Sequence, residues 1–206
     1  MPVLNFYHEA ETFQHIRFQF HPGVEHMIAS LLIPVLLSAV ALFFASFLSW
    51  MVFQLHRADW IKIEQEDPFL DALRNLDLPQ GSYMFPGCKT PDEMKSETYQ
   101  QKWEQGPRGI ITLFAKVNMG KNLGLTFFYF LVISFALACL STLALTPGTE
   151  FVVVFRFFAF AALLTFLSAI VQHAIWFHNR ITGHIIESIL YAVIVGLIFG
   201  LLWPAA

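Results

Sequence analysis

The sequence predicts an all-α membrane protein: a four-transmembrane-helix bundle with one small α+β module in the loop after its first span. Two observations predict it. Four long apolar runs cover roughly half of the 206 residues, hydrophobic residues making up 56% and charged ones only 13%, where soluble domains carry about 25% charge. What charge there is gathers between the first and second runs. Residues 54–121 hold nine of the twelve Lys and Arg: Arg57, Lys62, Arg74, Lys89, Lys95, Lys102, Arg108, Lys116 and Lys121.

Runs of 18 or more apolar residues read as membrane-crossing helices, because about 20 residues rising 1.5 Å each cover a hydrocarbon core of about 30 Å. The runs place spans at 28–53, 122–146, 150–172 and 185–203. They leave residues 1–27 as an outer tail and 54–121 as the module. The first span reads as a retained anchor. A cleavable signal has a basic start and a 7–15-residue apolar stretch, whereas here 27 mostly polar residues with the single base Arg17 precede a 26-residue run. Pro34 lacks the backbone donor that a helix interior needs, so it predicts a kink near the outer end of that span. In the tail, Phe13 to His21 alternates loosely, which predicts an extended or interfacial segment.

Orientation follows from the bases. The connection after the third span adds Arg180 to the module's side, and the other side has only Arg17 and the snorkelling Arg156. Such a bias places the base-rich side in the cytoplasm. The reading is a multi-pass protein of a bacterial inner membrane, both termini periplasmic. Trp50 and Trp176 then fall at the cytoplasmic interface and Trp203 at the outer one, where aromatic residues gather.

Membrane helices associate through close contact of small residues. The fourth span carries Ser188, Ala192, Gly196 and Gly200, each four apart. The third carries Ala161, Thr165 and Ala169, continued by His173; the second carries Ser134, Ala138 and Thr142. The first carries Ser38, Ala41, Ala45 and Ser49, and His56 lies 18 residues, or about five turns, beyond Ser38. These faces predict a compact bundle; an unpaired stripe would instead serve another subunit.

Within the module, Asp67-Pro68 reads as a capped helix start and Leu78-Pro79-Gln80-Gly81 as a turn. A short extended piece runs over Tyr83 to Phe85. Thr90-Pro91 opens a second helix that Gly106-Pro107 stops, and Gly109 to Val117 reads as a strand facing the Tyr83 segment. Large apolar residues are few, so the core should be thin, leaning on the membrane surface or a partner.

Candidate chemistry rests on histidines. His8, His15, His21 and His26 sit in the tail, and neutral imidazole binds copper and zinc. Their spacings of 7, 6 and 5 match no ligand pattern, so solvated or interfacial residues are the simpler reading. At the other end stand His56, His173, His178, His184 and Glu187. If His56 and His173 met across the bundle they would offer two axial ligands to a haem iron, and a His–Glu pair would relay protons. Against this, interfacial polar residues need no function, and Glu187 can pair with His184 one turn back or with Arg180. No cofactor is required by the sequence.

Several classes are disfavoured. Met119-Gly120-Lys121-Asn122-Leu123-Gly124 lacks the spacing of a phosphate-binding loop, and no nucleophile elbow, HExxH or kinase pattern occurs. A net charge of −3 without a basic cluster argues against nucleic acid. Cys88 in the loop and Cys139 in a span are too far apart in topology to pair. The spans hold no acidic or broken-helix pair of the kind transporters use.

The segments HRADW, EDPFLDALRNL, PQGSYMFPG, EMKSETYQQKWEQGP, GKNLGL, FRFFAF and FGLLWP resemble a family of bacterial membrane proteins of about 200 residues. The resemblance spans residues 27–206, is more specific in the loop than in the spans, and leaves out the histidine-bearing tail. It implies the four-span architecture and a bacterial origin, and assigns no site. The functional expectation is a non-catalytic structural or accessory subunit, or scaffold, of a membrane assembly. Its partners would be the lipid bilayer and a membrane protein or further copies of itself. The alternatives are a small haem- or copper-binding redox protein and a channel or transporter.

Overall fold

The computed structural model describes residues 22–206. His8, His15, His21 and the alternating tail segment lie outside the described residues. The chain is mostly helical, with one two-stranded sheet and four helices long and apolar enough to cross a membrane: Leu32–Val52, Met119–Ser141, Phe151–Phe177 and Thr182–Leu201. This is the fold of a multi-pass membrane protein.

Helix α1, Pro22–Ser30, precedes α2, Leu32–Phe47, and the break falls at Leu31. Pro34 explains its place. Proline has no N–H for the carbonyl four residues back, and its ring crowds that carbonyl, so a regular helix cannot run through Ser30 into Pro34. After Phe47 the helix widens into a π turn, Leu48–Val52, in which the Phe53 N–H reaches the Leu48 carbonyl at 2.8 Å. Gln54, at φ 50°, ends it.

Helix α6, Met119–Ser141, starts at a cap: the Asn118 side-chain oxygen accepts from the Lys121 N–H at 3.0 Å. Helix α7, Phe151–Phe177, continues five residues past the predicted span, since His173 is too polar to count toward the apolar run but does not break a helix. It stops at His178, whose φ of 53° is left-handed. Helix α8, Thr182–Leu201, returns beside it. The Trp203 indole donates to the Thr146 carbonyl at 3.0 Å, fastening the end of the chain to the α6–α7 connection.

In the bundle, α8 lies between α7 and α2, α2 lies between α8 and α6, and α6 touches α7 more lightly. Ser188, Ala192, Gly196 and Gly200 are all buried. A second buried column runs beside them: Gly183, Glu187, Tyr191, Val195 and Phe199. The complement of the small stripe is large side chains. A Cβ on Gly196 would stand 2.9 Å from the Phe155 ring, and one on Gly200 2.8 Å from that of Phe151. Helix α7 accordingly buries Val154, Phe158, Ala162 and Phe166, while Thr165, Ala169 and His173 are exposed. Phe158 stacks on Phe199 at 3.9 Å, and Phe130, Phe166 and Tyr191 meet edge to face at 5.1–6.2 Å. Such pairs contribute about 0.5–1.5 kcal/mol each beyond burial.

The module comprises α3 (Glu66–Asn75), β1 (Gly81–Phe85), α4 (Pro91–Lys95), α5 (Glu97–Gln105) and β2 (Gly109–Leu113). The Thr90 and Ser96 hydroxyls cap α4 and α5. Strands β1 and β2 pair antiparallel, Tyr83 opposite Ile111 and Met84 opposite Ile110. No residue from Arg57 to Tyr129 is buried. Cys88 is half-buried, and desolvation, with the Cys88 thiol adding to it, pushes the Tyr99 phenol above its ordinary range.

Candidate functional site

The described residues contain one cluster of buried ionisable groups packed side chain against side chain, at the module end of the bundle. The local chain path builds it. The π turn of α2 adds a residue to its last turn, a feature that often accompanies functional sites. The chain then leaves the helix, and a short 3₁₀ turn, Arg57–Asp59, folds Asp59 back beneath His56. Glycine brings α8 in. A Cβ on Gly183 would lie 2.9 Å from the Leu55 carbonyl oxygen and 3.0 Å from the His56 ring. Glu187, one turn later on the same face, thereby reaches the imidazole.

His56 is 2% exposed and stands between two carboxylates. Its Nδ1 lies 2.8 Å from Asp59 Oδ2, and its Nε2 lies 3.3 Å from Glu187 Oε2. Trp50 stacks on the ring at 4.0 Å, and the His184 ring is 4.4 Å away. The second oxygen of each carboxylate, Asp59 Oδ1 and Glu187 Oε1, is buried without a hydrogen-bond partner among the described residues. An imidazole so placed can donate to both carboxylates only when protonated. When neutral it donates to one and turns a lone pair toward the other. The arrangement can hold a proton or a cation.

No protein-family model, curated protein or solved structure matches the chain.

The structure distributes the other candidate residues as follows. His173 is exposed on α7, hydrogen-bonded to Asn179 at 3.1 Å and packed on Phe177; no hydrogen bond or ring contact joins it to His56. Arg180 and His173 line an open hollow of about 270 Å³ that also reaches His184. Glu187 bonds His56, with no ion pair to His184 or Arg180. His26 is exposed on α1, before the span whose far end carries His56. Asp59, Trp50 and Gly183 enter the cluster without having been read as site residues. The spacing His56-x-x-Asp59 places a carboxylate one tight turn from the ring, and Gly183-x-x-x-Glu187 marks one helix face. Those two spacings are the signals that would have found them.

Proposed function

We propose that the protein is a non-catalytic accessory subunit of a bacterial inner-membrane assembly, its bundle anchoring a cytoplasmic module that docks a protein partner. The observation that carries this reading is the lack of any buried residue in the module beyond His56. A lone two-stranded sheet is marginal in water. The pair β1–β2 nonetheless leaves both outer edges open among the described residues, and Met84 and Ile110 lie side by side on an exposed face. Leu76 is 62% and Met84 54% exposed. Unpaired edges with apolar side chains invite another chain.

Charge argues for a protein over a lipid surface as the occupant. Anionic membranes attract about 1 kcal/mol per base. The nine bases of residues 54–121 are offset by ten acids: Asp59, Glu64, Glu66, Asp67, Asp71, Asp77, Asp92, Glu93, Glu97 and Glu104. Trp60 and Ile61, 76% and 92% exposed directly after the first span, suit the bilayer interface instead.

The test is to introduce Met84→Asp and Ile110→Asp together and compare the native complexes of wild type and variant. The double variant is expected to lose a partner that wild type retains, at unchanged thermal stability of the bundle. An identical complex in both, or a complex built only of this chain, contradicts the accessory reading. Orientation has its own check. In a Cys139→Ser background, a membrane-impermeant maleimide is expected to label Cys88 in inverted vesicles and to spare it in right-side-out ones. The opposite pattern reverses the topology.

A further inference from the structure

We propose that His56, Asp59 and His184 bind a divalent first-row transition-metal ion of the zinc or iron(II) class, with Glu187 holding the His56 imidazole in place. This inference stands apart from the docking reading, since it concerns the bundle end and not the module.

Each of the three residues offers one ligand atom, and the three atoms lie within 4.8 Å of one another. Ligands about 2.0–2.2 Å from a tetrahedral ion are separated by about 3.3 Å. The 2.8 Å between His56 Nδ1 and Asp59 Oδ2 is a hydrogen-bond distance, so the two atoms need to part by only about half an ångström to admit an ion. His184, half-buried at the start of α8, needs a shift of about one to two ångströms to close the set.

Charge balance supports a divalent ion. The Asp59 and Glu187 side chains are only 10% and 8% exposed, and buried carboxylates require compensation. A proton on His56 offsets one of them; a divalent cation on a neutral imidazole offsets both. Asp59 Oδ1, on the Nδ1 side of the ring, is buried without a hydrogen-bond partner among the described residues, a further sign that a positive group belongs beside it. The contact of Glu187 with Nε2 has the form of an outer-shell support. Metal-binding histidines commonly donate their second ring N–H to a carboxylate, which fixes the tautomer and leaves the other nitrogen free to ligate. Gly183 leaves room for the ring where it stands, since a Cβ there would lie 3.0 Å from it.

The donor set narrows the ion. Two imidazoles and a carboxylate suit zinc and iron(II). Copper(I) prefers thiolate or thioether, and calcium and magnesium prefer oxygen alone. Neither cysteine is nearby in the fold: Cys88 is in the module and Cys139 on α6. Access exists through an open hollow of about 480 Å³ lined by Trp50, Gln54, His56, Arg57 and Trp60.

The experiment titrates cobalt(II), as a coloured probe, into full-length chelator-treated protein in detergent, followed by zinc displacement. One equivalent with ligand-field bands is expected, displaced by one equivalent of zinc. His184→Ala should abolish the bands, and Glu187→Gln should weaken binding about 10–100-fold. His184 is half-buried, so its variant is expected to stay folded, as checked by circular dichroism. Replacing His8, His15, His21 and His26 together should leave the bands intact. No stoichiometric binding by folded wild type overturns the proposal. So does equal binding by folded His184→Ala and Asp59→Asn, or loss of the bands only in the tail variant.

Discussion

His56→Phe is expected to destabilise the bundle by about 3–5 kcal/mol, the usual cost of breaking a buried charged pair from one side. Phenylalanine keeps a flat ring to stack on Trp50, which lies 4.0 Å from the imidazole. It removes both nitrogens, however, and leaves Asp59 and Glu187 facing an apolar edge with nothing to receive their charge. The loss should appear as a lower unfolding temperature in detergent, measured with chelator present so that metal occupancy does not enter. Adding Asp59→Asn and Glu187→Gln to His56→Phe should recover much of the loss, because the penalty is that of two orphaned charges and not of the ring itself. An unchanged unfolding temperature in the single variant would mean that water reaches these carboxylates.

Gly196→Val is expected to separate α7 from α8. A Cβ at this position meets the Phe155 ring at 2.9 Å and the Phe155 carbonyl oxygen at 3.0 Å. A ring can turn aside, but a backbone oxygen moves only with its helix. Overpacking of this kind costs about 1–3 kcal/mol, and membrane helices have little but close packing to hold them together. Gly124→Ala on α6 is the control. Nothing lies within 4 Å of the Cβ it would add, so the gain in helix propensity of about 0.5–1 kcal/mol should show unopposed. Equal unfolding temperatures for Gly196→Val and wild type would contradict the packing described for α8.

The four apolar runs were readable because a membrane demands length and hydropathy, and both are written residue by residue. Helix ends were less so. α7 continues to Phe177 since the polarity of His173 bears on the membrane and not on the helix. The stripe on α8 was visible as spacing, but its complement was not. Spacing shows which residues are small, and not that Phe151 and Phe155 fill the space they leave. The site was half legible. His56 follows from Ser38 by whole turns of an ideal helix, yet the chain leaves the helix after Val52 and reaches its buried position through a π turn and a 3₁₀ turn. Such irregular turns carry no periodic signal, so Asp59 read as one more acid of a charged loop. Glu187 stood out as an acid in an apolar span, but its partner lies 131 residues away in the chain. Only the packing of α8 on the end of α2 selects that partner over the nearer His184 and Arg180.

We propose that the bundle serves a larger assembly through its exposed module. Native mass spectrometry of the protein, released with lipid from its own membrane, decides whether it does. The expected particle is heavier than one chain by the mass of a different protein, and is reduced to the single chain by Met84→Asp with Ile110→Asp. A particle of one chain alone, from native membrane and under gentle release, would contradict it.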